Sequence, residues 1–253
     1  MKGLFSILLL FLANSTSFSL NVPLRIEDAC KKFNHTELID TLNSLVALST
    51  EEVKYEWLTS LEREIVNGFF EQVFEITKLV RDSENHAIHT VYTYTVELIY
   101  RSGTIRYYRI SPKDNSKGEG KNGLEALFSS YLQVYSIRLH LHDLFETEIV
   151  FGNHCGSYAS KPVYREEMET LIEKEDLSGL INWLKSPKTE LQLYAIEGLL
   201  KLQKNGVTIS TEILDLIEIV SNKEGNVYTC SGCIHWNRPI SETVSNIKKG
   251  VFD

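Results

Sequence analysis

Long apolar runs are scarce in this chain. After Leu4 to Leu12, no segment approaches the roughly 20 apolar residues needed to cross a bilayer, so no transmembrane anchor is expected. Positive charge is also in deficit: 26 Lys+Arg stand against 34 Asp+Glu, a formal net charge of −8. Such a balance disfavours attraction to phosphate backbones, and nucleic acid is not an expected partner. No Gly-rich phosphate loop follows a strand pattern, no Gly-x-Ser-x-Gly elbow occurs and no His-Glu-x-x-His pair is present. The carboxylates are scattered without a distinctive pair for acid/base work. Hydrophobic content of 43% and charged content of 24% are ordinary for a folded chain and argue against long disorder.

The one apolar run sits at the N-terminus. Lys2 precedes it, and Ser17 and Ser19 supply the small residues a signal peptidase requires, so residues 1–19 read as a signal peptide with a mature start near Leu20. The expected location is therefore secreted or periplasmic. The first cysteine, Cys30, lies too far along for a lipoprotein cleavage site. Export would expose Cys30, Cys155, Cys230 and Cys233 to an oxidising compartment, where two disulfides are the default. Four cysteines allow three pairings. Cys230 could close on Cys233 with Cys30 joined to Cys155, or the closing segment could be stapled back to Cys30 and Cys155. Loop-closure entropy favours the second arrangement.

Residues 36–48 carry Leu38, Ile39, Leu42, Leu45 and Val46 at helical spacing. Ser49 and Glu52 resemble a capping box, and Val53, Trp57, Leu58 and Leu61 continue an apolar stripe, so the first 65 residues read as two helices. The period then shortens to two. Phe69 to Ile76, His89 to Tyr100 and Ile105 to Ile110 predict three antiparallel strands, the last two joined by a turn at Arg101 to Thr104. Pro112 to Gly123 reads as a mobile surface loop, Leu124 to Val134 as a helix and Ser136 to Asp143 as a strand. From about Tyr164 the pattern is helical: 166–173, 177–184, a long helix opened by Ser186 as N-cap and Pro187 and closed at Asn205-Gly206, and a fourth after Ser210.

Within that region, Leu184 to Pro187, Tyr194-Ala195 and Leu199-Leu200 fall where a HEAT-like helical repeat carries its turn and packing positions. The segment at about 171–220 resembles that family, covering one repeat and part of another. The resemblance implies a packing or protein-binding surface and transfers no catalytic residue. The chain as a whole reads as α+β: a signal peptide at 1–19, a helix-flanked antiparallel sheet at 20–158, a helical HEAT-like region at 159–222 and a cysteine-containing C-terminal tail at 223–253.

Three constellations could carry chemistry. His140 and His142 on a strand would share a face and, with Asp143, His154 and Cys155 and further with Cys230, Cys233 and His235, could hold a metal ion. The competing reading is a polar strand face, with the thiols consumed in bridges. Cys230 to Cys233 has redox spacing but lacks the strand-to-helix context of a thioredoxin-like site. Gly152 to Gly156 could present Cys155 as a nucleophile beside His154, although partners adjacent in sequence are rarely aligned, and a tethered turn is the simpler reading. Asn34, His35 and Thr36 form a glycosylation sequon, and Arg106 to Arg109 read as a sheet surface. The expectation is an exported non-catalytic protein, without cofactor, that binds another protein or an envelope component or serves structurally, with no catalytic residue assigned. The alternative is a secreted hydrolase, metal-assisted through His140, His142 and His154.

Overall fold

A computed structural model describes residues 22–82, 88–112, 118–156, 158 and 160–250. The signal-peptide reading and part of the 112–123 loop lie outside these residues. The chain is α+β, with a five-stranded antiparallel sheet followed by a helical half that carries a small second sheet. Its elements are α1 (Val22–Lys31), α2 (His35–Ala47), β1 (Val53–Val66), β2 (Phe69–Arg81), β3 (Ile88–Arg101), β4 (Thr104–Pro112), β5 (Gly118–Lys121) and α3 (Glu125–Tyr135). A single 3-10 turn at Leu141–Asp143 precedes β6 (Phe151–Cys155), α4 (Val163–Glu173), α5 (Leu177–Leu184), α6 (Thr189–Lys204), α7 (Thr211–Ser221), β7 (Asn226–Gly232), β8 (Ile234–Pro239) and α8 (Ile240–Lys249).

The first sheet is a meander in the order β1-β2-β3-β4-β5. One face, carrying Tyr55, Phe74, Ile76, Val96, Leu98, Tyr108 and Ile110, packs beneath α1 and α2 through Ile26, Cys30, Leu38, Leu42 and Leu45. The opposite face is covered at one end by α3, where Ile65, Phe69, Ile99 and Tyr107 meet Leu127, Tyr131 and Tyr135. The pairing register explains the two faces: Phe74 lies opposite Val96 and Thr59, whereas Glu71 lies opposite Ile99 and Arg63.

Several elements depart from the sequence expectation. The helix expected after Ser49 is strand β1. Ser49 Oγ accepts from the Tyr55 N–H at 3.0 Å and Thr50 Oγ1 from the Val53 N–H at 3.1 Å, so both hydroxyls start a strand rather than cap a helix. A bulge between Thr59 and Leu61 then moves the apolar set to the other face. Val53, Trp57, Leu58, Leu61 and Ile65 thereby acquire near-helical spacing within a strand. Part of the expected surface loop pairs as β5 on β4. Residues 136–143 form no strand, because Ser136 ends α3 in the left-handed region at φ 57° and Leu139 and Leu144 turn into the core under α3. Asn34 serves as the N-cap of α2, accepting from the Glu37 N–H at 3.2 Å.

The expected helices of the last third all form. The long helix begins at Thr189 with Lys188 as N-cap, and Ser186 instead accepts the Lys188 N–H within the preceding turn. Leu193, Tyr194, Ala195, Ile196 and Leu199 of α6 are inaccessible to solvent, so this helix is the axis around which the half is built. Residues 226–249 form β7, β8 and α8: β6 runs parallel to β7, and β7 pairs antiparallel with β8. Phe151 of β6 and Val227 of β7 belong to the same core as Met168, Leu180 and Val244.

Gly225 joins this half to the edge of β1. The Glu64 N–H donates to Glu224 C=O at 2.9 Å, and Arg63 and Gly225 form an antiparallel bridge. Gly225 has φ 100°, and a Cβ there would lie 2.5 Å from Arg63 Cα and 2.6 Å from Glu62 O. Neither atom can move without shifting the strand. Gly225→Ala should therefore cost at least about 2 kcal/mol, measured as a lowered midpoint in chemical denaturation; an unchanged midpoint would mean that this junction carries no stability.

Candidate functional site

The histidine-centred metal reading is not assembled by the fold. His140 precedes the 3-10 turn in extended backbone, and its ring stacks on His142 with centroids 5.3 Å apart. His142 is 80% exposed, its Nε2 lying 3.3 Å from Asp143 Oδ1. His154 sits on β6, and His235 stacks on Tyr228 within the β7–β8 hairpin. Among the described residues, no group of three or more His, Cys, Asp or Glu side chains is placed to hold a metal ion.

The cysteines form one bridge where two were expected. Cys155 and Cys230 are joined across the neighbouring strands β6 and β7, with Cα atoms 5.6 Å apart. That bond occupies Cys155, so it is not the free nucleophile that the Gly152 to Gly156 reading required. Gly152 makes room for the bridge, since a Cβ there would lie 2.5 Å from Cys230 Sγ. Cys30 is a free thiol sealed between α1, α2 and the first sheet, a side chain of that core rather than a staple. Burial, aided by Glu27, pushes its pKa up to about 12, which keeps it protonated and unreactive. Cys233 is free and exposed in the hairpin turn.

Two buried charge networks have no counterpart in the sequence reading. In the first, Arg63 of β1 lies between Glu71 of β2 and Glu190 of α6, each side chain about 1% exposed. Arg63 Nε donates to Glu71 Oε1 at 2.6 Å, and Nη1 donates to Glu190 Oε2. The carboxylates are themselves engaged: Glu71 Oε2 accepts the Phe145 N–H at 2.7 Å, and Glu190 Oε1 accepts the Tyr228 N–H at 3.3 Å. Burial opposes the guanidinium charge, but Glu190 and Glu71 outweigh it and hold Arg63 more firmly protonated than usual.

Lys223 is buried within electrostatic reach of this network. Its Nζ donates to Gln192 Oε1 at 2.9 Å and lies 5.5 Å from the centre of the Tyr135 ring. Burial, reinforced by the Arg63 charge, lowers its pKa from 10.5 to about 7. In the second network, Arg165 of α4 contacts Glu197 of α6 at 2.6 Å and donates to Gly152 C=O at 3.0 Å, under the rings of Phe151 and Tyr194. Burial pushes the Glu197 carboxyl up, but Arg165 and Lys201 together hold it below its usual value. Both networks bind elements of this chain to one another. A pairing 127 residues apart, Arg63 with Glu190, offers no local spacing by which it could be found.

A surface feature with binding character lies on β1. Val46 of α2, Ser49 and residues 54–58 line a groove of about 640 Å³ that extends to Glu75 and Thr77 of β2. Trp57 stands edge-on to Phe74 at 5.5 Å, and Leu58 is 55% exposed. β1 is one of the two edge strands of the first sheet, and among the described residues its far end meets the second half through Glu64 and Gly225. The N–H groups of Val53 and Tyr55 point outward to Thr50 and Ser49, so the backbone groups of Trp57 and Thr59 share that direction. Among the described residues nothing pairs with them. The signal that could have exposed this edge is Asn67-Gly68, with φ of 47° and 75°, a two-residue hairpin turn that identifies β1 as the partner of β2.

Comparison with protein-family profiles, with curated proteins and with solved structures finds no match to this chain.

Lys223 provides a pH test of the first network. Between pH about 7 and 10.5 the unfolded chain holds a proton on Lys223 that the folded chain lacks, so this residue makes stability rise with pH across that window. Below pH about 7 the full penalty is present. Lys223→Met should therefore be more stable than wild type at neutral pH, by up to about 4 kcal/mol. The difference should shrink as pH approaches 10, in denaturation curves recorded across the range. A difference independent of pH would contradict the buried, uncharged lysine.

Proposed function

We propose that this chain is an exported, non-catalytic protein that binds another macromolecule by adding an extended segment of the partner to the open edge of β1. The observation that carries the reading is the unpaired outward backbone at Trp57 and Thr59 beside an apolar groove containing Trp57, Leu58 and Val46. A strand added there would gain main-chain hydrogen bonds from the edge and side-chain specificity from the groove. Lys54, Glu56 and Glu75 rim the groove with both signs of charge, which suits a peptide of mixed sequence.

Other features support the reading without naming the partner. The apolar N-terminal run and the Cys155–Cys230 bridge suit an exported protein, and no helix among the described residues is long and apolar enough to cross a membrane. The buried ion pairs join elements of the protein to one another instead of converging on an open cleft. The HEAT-like resemblance of α5 and α6 supplies a rigid platform in this proposal, with the sheet edge presented from it.

The edge can be tested without knowing the natural partner. A displayed library of short random peptides selected on the folded chain should enrich extended sequences that protect the Trp57 and Thr59 amides from hydrogen exchange. Leu58→Lys changes an exposed side chain, so it should leave the unfolding midpoint nearly unchanged while weakening these peptides about tenfold or more. Enrichment of peptides that protect another surface, or that ignore Leu58→Lys, would refute the assignment.

A further inference from the structure

Three cysteines lie toward one end of the second sheet, and two of them, Cys155 and Cys230, are bonded. Cys155 closes β6 and lies opposite Gly232 in the β6–β7 register, with the Gly156 N–H donating to Gly232 C=O at 2.7 Å. Ser231 and Ile234 are the last paired residues of the β7–β8 hairpin, so Gly232 and Cys233 form its turn. Cys155 thus faces a position next to Cys233, while its present partner Cys230 lies two residues earlier on the same strand. The two neighbours differ in access: Cys230 is 3% exposed, and Cys233 is exposed and free. Cys155 is half-buried, less enclosed as a residue than its partner Cys230.

We propose that Cys233 is the reactive thiol of this chain and that Cys155 is a shared sulfur, its disulfide moving between Cys230 and Cys233 by internal thiol–disulfide exchange. Cys233 loses its proton, and the thiolate attacks Cys155 Sγ. The Cys155–Cys233 bond forms as the Cys155–Cys230 bond breaks, and the electron pair leaves with Cys230 Sγ. Cys230 then takes up the proton, so one thiol and one disulfide are present before and after, and no external oxidant or reductant is consumed. A place for the released thiol already exists, because Cys230 Sγ lies 3.9 Å from the His154 carbonyl oxygen, which can accept its S–H. Cys30 stays outside the cycle, buried in the first core.

The exchange moves the staple from the middle of β7 to the tip of the hairpin without releasing β6. With the bridge at the tip, a thiolate of another molecule can attack Cys233 Sγ of the Cys155–Cys233 disulfide, forming a mixed disulfide with Cys233 as Cys155 leaves as thiolate. Attack of that Cys155 thiolate on Cys233 Sγ re-forms the internal bond and expels the external thiol, so no oxidant or reductant is consumed. This inference does not depend on the β1 edge, so either can fail alone.

The test uses wild-type protein and Cys233→Ser, each held without oxygen at about pH 8.5, where a thiolate is abundant. Samples are quenched in acid, unfolded, alkylated and mapped by fragment mass spectrometry. In wild type the alkyl group should appear on Cys230 as well as Cys233, growing with time to at least about tenfold above the Cys233→Ser sample. A Cys155–Cys233 link should accompany it. Label confined to Cys30 and Cys233, with Cys155 always bonded to Cys230, would overturn the proposal. Label on Cys155 with a Cys230–Cys233 link would equally overturn it, since the shared sulfur would then be Cys230.

Discussion

The structure turns on Arg63. Its guanidinium is held among Glu71, Glu190 and the backbone carbonyl of Glu146, at a point where β1, β2, α6 and the segment after the 3-10 turn meet. Two carboxylates and one guanidinium leave a net negative charge in a site almost closed to water, and the backbone N–H groups of Phe145 and Tyr228 disperse it. Removing one member of such a group leaves an uncompensated charge, which costs about 3–5 kcal/mol. The same cluster sets the register between the halves, since Glu71 fixes Arg63 from the sheet and Glu190 fixes it from the helical axis α6.

That anchoring divides β1 into two parts with different destinies. Beyond the bulge at Ser60, Leu61 and Ile65 turn to the face occupied by Arg63, and Glu64 hydrogen-bonds to the chain at Glu224, so the strand is built into the protein. Before the bulge, Tyr55 and Trp57 lean on the α1–α2 layer while their outer edge stays open. An unprotected edge carrying Leu58 is a liability that natural sheets usually blunt. Lys54 and Glu56 blunt it partly, and the groove beside it gives the opening the character of a binding surface rather than a defect.

Much of the fold was legible in local pattern. The turn at Ser102 and Gly103, the β-branched and aromatic run of β3, and the apolar arc of α6 each specify their element through short-range chemistry. What failed did so for physical reasons. β1 is hidden in the sequence because the bulge gives an alternating strand helical apolar spacing behind an apparent capping box; the Asn67-Gly68 hairpin turn is the local signal that contradicts a helix there. The strand expected at His140 and His142 is prevented by the left-handed turn at Ser136. Cys30, expected as a staple, lies with Ile26 and Ala29 on the buried face of α1. The charge networks, by contrast, join residues far apart in the chain, and no spacing rule addresses them.

Native-state hydrogen exchange on the isolated, full chain tests the division of β1 most directly, because it reads both parts in one sample without any partner. The Glu64 N–H, bonded to Glu224 and held beside Arg63, should exchange only through global unfolding, while the N–H groups of Trp57 and Thr59 should exchange faster by about a hundredfold or more. Equal protection at all three would show that the edge is already closed in the free protein, and the account of β1 as half anchor and half docking edge would be wrong.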